Sequence, residues 1–195
     1  MNWVLKRAKR ITPKDGGSSL YGVVLYTDRH AHVAKVLNDR EYWRGLEEAT
    51  GPLWAVFATR LLPQYLATEG GGPPGTMGMM VAVYRDPADN LEVLTDFGMR
   101  DSSDLPCLVV FVTDENGDVY SSRYRIDSSS AETAYASMTH VGELVARAVG
   151  KMDPENRTSA TGIRNAVFRA LRDDADAQLL KKGFNVYRML KDLKP

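Results

Sequence analysis

The feature that most constrains this chain is the alternation of two apolar patterns. Short apolar runs at Leu20 to Thr27, Leu53 to Thr59, Met77 to Tyr84 and Leu108 to Thr113 are separated by stretches whose apolar residues recur three to four positions apart. Runs of that length between turn formers have the character of buried strands, and the intervening stretches have the period of helices. Asn38 or Asp39 offers an N-cap for a helix carrying Tyr42, Trp43 and Leu46, closed by Gly51-Pro52. Leu61 to Thr68 reads as a short helix before the loop Glu69-Gly70-Gly71-Gly72-Pro73-Pro74-Gly75, while Val33 to Leu37 is too short to assign. Asp86-Pro87 opens a helix carrying Leu91, Leu94 and Phe97, ended by Gly98. Asn116-Gly117 marks a hairpin joining Leu108 to Thr113 with an antiparallel strand at Val119 to Ile126. Ser128-Ser129-Ser130, with Glu132 behind it, caps a long helix bearing Tyr135, Met138, Val141, Leu144, Val145 and Val149 on one face.

This order predicts an α/β fold, a mixed sheet flanked by helices. After Asp153-Pro154 the pattern is helical only, with Ile163, Val167, Ala170 and Leu171 at helical spacing, then Leu179, Leu180, Phe184, Tyr187 and Leu190. The chain therefore divides into a basic N-terminal segment and linker at 1–19, an α/β domain at 20–152, and a C-terminal helical extension at 153–195.

Equal numbers of acids and bases, 25 of each, conceal an uneven distribution. Residues 1–14 carry five Lys or Arg and no acid, and residues 157–195 carry nine basic against four acidic residues. The ends are each +5 and the middle is −10. Basic ends of that kind either fold back onto an acidic core or reach an acidic partner. No apolar run approaches the roughly 18–20 residues of a membrane-spanning helix, so no membrane partner is expected. The first ten residues reverse the charge order of a secretory signal, and a single cysteine, Cys107, suits a reducing compartment. The expected location is the cytoplasm.

Few residues carry chemistry. Cys107 has no His or second Cys near it in sequence and reads as a small apolar residue opening a strand. Asp28, His30 and His32 have a spacing that puts two imidazoles on one side of an extended segment, the start of a metal site without the remaining ligands. Asp101, Asp104, Asp114, Asp118 and Asp127 are what turns and helix caps require. The triple glycine lacks the Lys and Ser/Thr of a phosphate loop. Arg164, Arg169 and Arg172, with the basic residues at 1–14, admit a nucleic-acid reading, but their helical spacing equally makes them the wet side of packed helices.

The run Phe97-Gly98-Met99-Arg100 to Leu105-Pro106-Cys107-Leu108-Val109-Val110-Phe111, then Asp114-Glu115-Asn116-Gly117-Asp118-Val119, resembles the second half of thioredoxins. There a helix ends in an aromatic residue and Gly, a loop leads to a cis-proline, and an apolar strand turns through glycine into the next. Asp39-Arg40-Glu41-Tyr42-Trp43 and Gly51-Pro52-Leu53-Trp54-Ala55-Val56-Phe57-Ala58 are similar to the family's helix and central strand, after which its active-site motif follows. On that alignment Pro106 is the cis-proline, and Leu61 and Gln64 stand where the two cysteines would be. The resemblance therefore implies a redox-inactive member of the thioredoxin-like superfamily, since thiol–disulfide exchange needs a thiolate. It implies no catalytic residue, no metal and no cofactor, and a protein-binding face around Arg60, Leu61, Gln64, Tyr65 and Pro106. The expected partner is another protein, in an adaptor, accessory or immunity-type role of a bacterial system. The alternatives are a metal-assisted enzyme using Asp28, His30 and His32, or nucleic-acid binding through the basic termini.

Overall fold

The computed structural model describes residues 19–50, 54–61, 64–66, 83–85, 88–114 and 118–175. Its elements are β1 (Ser19–Thr27), α1 (Ala31–Asn38), α2 (Arg40–Thr50), β2 (Ala55–Leu61), β3 (Gln64–Leu66), β4 (Val83–Arg85), α3 (Ala88–Asp96), β5 (Cys107–Thr113), β6 (Val119–Arg125) and α4 (Ala131–Gly150). A further helix, α5, runs through residues 160–175. Four strands form a mixed sheet in the order β2-β1-β5-β6. β1 runs parallel to β2 and antiparallel to β5, which is antiparallel to β6. This is an α/β fold whose strand order and directions are compatible with the thioredoxin arrangement.

Both faces of the two inner strands are apolar, so both must be covered. Leu20, Val24, Tyr26, Leu108, Val110 and Val112 face one core with Val33, Val36, Met138, Val141 and Val145 from the helices. Tyr21, Val23, Leu25, Cys107, Val109 and Phe111 face a second core with Val93, Leu94 and Phe97. Phe111 is the hub of that second core: its ring lies 5.2 Å from Tyr21, 5.7 Å from Phe97 and 6.3 Å from Phe57. Gly22 is a spacing residue on the first face, because a Cβ there would stand 2.5 Å from Cζ3 of the Trp54 indole.

Local chemistry sets the helix ends. The Asp39 carboxylate accepts from the amides of Glu41 and Tyr42 at 2.9 and 3.5 Å, making it the α2 cap. The capping box of α4 closes between Ser130 and Thr133 rather than through Glu132. Gly98 takes φ +68° just past α3, where the Met99 amide reaches back to the Leu94 carbonyl at 2.8 Å.

Several expectations are corrected. Leu61 to Thr68 does not open a helix: Gln64–Leu66 pairs antiparallel with Val83–Arg85, Tyr65 opposite Tyr84. A helix of two turns is marginal alone, and a register that sets Tyr65 opposite Tyr84 and Leu66 opposite Val83 favours a ladder. Val33 to Leu37, unassigned from sequence, lies in α1, held by burial of Val33 and Val36. On α3 Leu91 points outward and Val93 takes the inner place. Among the described strands, the one after Gly51-Pro52 is outermost rather than central: β1 lies between β2 and β5. The cap at Asp86-Pro87, residues 115–117 of the hairpin turn, the glycine-proline loop, the segment 1–14 and the apolar positions from Leu179 onward lie outside the described residues.

The extension after 153 belongs to the first core. Ile163, Val167 and Leu171 are buried in it, and the Arg164 guanidinium stacks 4.4 Å from the Tyr120 ring centre. Arg157 ties the connection down, donating to the carbonyls of Gly150 and Met152 at the end of α4. Replacing Leu171 with Ala should therefore lower the stability of the whole domain by about 2–4 kcal/mol in a single denaturant transition. A separate early transition, with the main one unmoved, would mean that α5 is not part of the core.

Candidate functional site

β1 and β6 end, and β5 begins, at the same edge of the sheet, since Leu25 is opposite Cys107 and Cys107 is opposite Arg125. Above that edge lies an open cleft of about 990 Å³. Its floor is Leu105, Pro106 and Ile126, and its rim is built by His30, by residues 124–129 and by Ser137 and His140 of α4. Clefts beyond the carboxyl ends of parallel strands are a common ligand position in α/β folds.

The turn from β1 into α1 is Thr27-Asp28-Arg29-His30-Ala31, and His30 fixes it. The backbone N–H of Thr27 donates to Nδ1 of His30 at 3.0 Å, so that nitrogen is unprotonated. The Thr27 hydroxyl lies at the same distance, and the ring comes close to the backbone of Leu105, the residue before Pro106. One imidazole thus joins the β1–α1 turn to the β5 entry. Burial, with the neighbouring Arg29 charge, holds the His30 pKa below its usual 6.5. The Leu105–Pro106 peptide is cis, as the resemblance implied. The Pro106 carbonyl accepts from the Ile126 amide at 3.0 Å, which closes the cleft floor.

The opposite wall is set by α5. The Asp174 carboxylate takes Nε2 of His140 at 2.9 Å with one oxygen, and the Tyr124 hydroxyl donates to the other at 3.2 Å. Three elements thereby meet at one carboxylate. No local sequence signal marks this group, because its members lie on β6, α4 and α5 and are up to 50 positions apart.

The sequence-derived candidates separate. Arg60 is exposed at the end of β2 and pairs with Asp28 of the β1–α1 turn at 2.7 Å. Leu61, opposite Thr27, is only 3% exposed and belongs to the second core, so its side chain offers nothing to a partner. Gln64 and Tyr65 lie on the β3–β4 ribbon. Pro106 is buried in the cleft floor. Among the described residues, the turn that borders the cleft floor at Pro106 is Asp28 to Ala31, after β1, through His30.

Asp28, His30 and His32 do not converge. Asp28 serves Arg60, His30 serves the two loops, and His32 is exposed on the first turn of α1, which is helical rather than extended. Among the described residues no group of three or more His, Cys, Asp or Glu is placed to hold a metal, and no helix is long and apolar enough to cross a membrane. The acidic residues cap turns as expected: Asp101 accepts from the Ser103 amide, Asp114 from Asp118 and Asp127 from Ser129. Asp104 pairs with Arg123 at 3.2 Å.

Cys107 is buried, its thiol donating to the Met99 sulfur at 3.8 Å, and burial pushes its pKa up to about 12. It is a thiol without a thiolate. A scan of protein-family models gives no match to this chain, and neither the curated proteins nor the solved structures give one.

Two outcomes follow. Cys107 should resist alkylation in the native protein and react only on unfolding; modification at the rate of a free thiol would contradict its placement. Because the folded pKa of His30 is lowered, the unfolded chain takes up the proton first, so stability should fall with pH below about 6.5 until the folded ring also titrates. His30→Asn should remove that part of the slope in urea midpoints measured against pH, and an unchanged slope would contradict the assignment.

Proposed function

We propose that this chain is a protein-binding module on a thioredoxin-like scaffold without redox chemistry, and that the cleft beside Pro106 is its docking face. The observation that carries the reading is the turn facing the cis-proline. In thioredoxin-like proteins the thiol motif follows the central strand, and here that turn is Asp28-Arg29-His30-Ala31. It holds no thiol, and its imidazole accepts from the Thr27 amide at Nδ1 and lies beside the Leu105 backbone. The side chains around the cleft are committed to holding it open: His140 and Tyr124 to Asp174, Ser137 to the Asp127 amide, Asp28 to Arg60. A rigid, mixed polar and apolar concavity suits recognition of a partner's chain, because little side-chain freedom is lost on binding. The adaptor or accessory role, and a location in the cytoplasm, belong to this proposal.

The proposal has two arms. The protein should show no disulfide-reductase turnover with a dithiol reductant. A partner recovered from the native host should be lost when Arg125 and Ser137, on the cleft rim, are changed together to Glu and Arg, while a change at the exposed Leu91 on the other side of the sheet should leave it bound. Retention of the partner by the rim variant would place the docking face elsewhere.

A further inference from the structure

The two edges of the main sheet differ in kind. β6 is blunted by the exposed guanidinium groups of Arg123 and Arg125, the usual protection against strand pairing. β2 reads Ala55-Val56-Phe57-Ala58-Thr59 before its first charge, all five half-buried, with no proline and no bulge. Among the described residues it pairs only with β1. Beside its central residues Val56, Phe57 and Ala58 lies a groove of about 510 Å³, bordered by Tyr26, Leu37 and Trp43.

The charges at the two ends of this edge are self-complementary. Arg60 stands at the carboxyl end. At the amino end Glu47, Thr50, Trp54 and Ala55 border one hollow, so the exposed Glu47 carboxylate flanks the start of β2. Glu47 has no ion-pair partner among the described residues, and it sits in the last turn of α2, where the helix dipole disfavours an acid. Within one chain these two ends are about 20 Å apart, seven residues of strand. An antiparallel pairing of two β2 strands lays the carboxyl end of each beside the amino end of the other.

We infer that β2 is a self-association edge: two copies of this chain join antiparallel through Ala55–Leu61, with Arg60 of each copy set against Glu47 of the other. Phe57 and Ala58 lie near the two-fold axis, and the result is one eight-stranded sheet. The contact is isologous, so it closes at a dimer and leaves β6 as the protected outer edge of both copies. Arg60 keeps its bond to Asp28, since a guanidinium carries five donors. The second copy supplies what α2 and β2 do not have among the described residues: a cation at the helix end and ladder partners on the second side of the strand.

The test is a charge-swap cycle read by sedimentation velocity across a concentration series of the full chain. The wild type should dimerise, Glu47→Arg and Arg60→Glu alone should each weaken the dimer by about tenfold, and the double variant E47R/R60E should recover most of the affinity. The two residues are too far apart in one chain for that rescue to be internal. A monomeric wild type at every concentration, single variants as tight as the wild type, or no recovery in the double variant would overturn the proposal. Amide exchange of the wild type alone gives a second reading: β2 should become more protected as concentration rises, and protection independent of concentration would equally overturn it.

Discussion

Burial of both faces of β1 and β5 is the constraint on which the described structure depends. Two adjacent strands whose side chains are apolar on both sides cannot face water, and burying a Val, Leu or Phe side chain contributes about 1.5–3 kcal/mol each. Helices must therefore lie on both sides of the sheet. One face is covered by α1, α2, α4 and α5, the other by α3 and the aromatic cluster around Phe111. The same requirement makes α5 part of the fold, because Ile163, Val167 and Leu171 complete the first core.

The site is a consequence of that packing. With β1 central and β5 antiparallel to it, the end of one and the entry of the other must meet at one edge. The two strand ends bring backbone polar groups together there, and the His30 ring sits between them, accepting from the Thr27 amide beside Leu105. Asp174 does the same for the opposite wall, where α5 closes over β6 and α4. The groups at this edge bond one another, and the Cys107 thiol is buried on the far face of β5, held protonated by its surroundings.

The sequence made the periodic elements readable and left the connections obscure. Leu20–Thr27, the helix capped by Asp39, the hairpin strands and the long helix after Ser130 declare themselves through period and cap residues, and the burial of Ile163, Val167 and Leu171 follows their spacing. The edge or centre position of a strand is different in nature. β1 and β2 have similar apolar content, and only their pairing with β5 distinguishes them, a contact about 90 residues distant in the chain. His30 was visible in the sequence as half of a histidine pair, but its task depends on Leu105, which no local pattern links to it. His140, Tyr124 and Asp174 were unreadable for the same reason.

The docking face depends on His30 as a neutral ring that takes the Thr27 amide beside the residue before Pro106. Nitrogen-15 chemical shifts of its imidazole measure that directly. The structure predicts an unprotonated Nδ1, with a hydrogen bond from the Thr27 amide visible as a through-bond coupling, the ring proton on Nε2, and a titration midpoint below 6.5. A ring exchanging between tautomers, or protonated at Nδ1 at neutral pH, would contradict that hydrogen bond and with it the placement of the docking face.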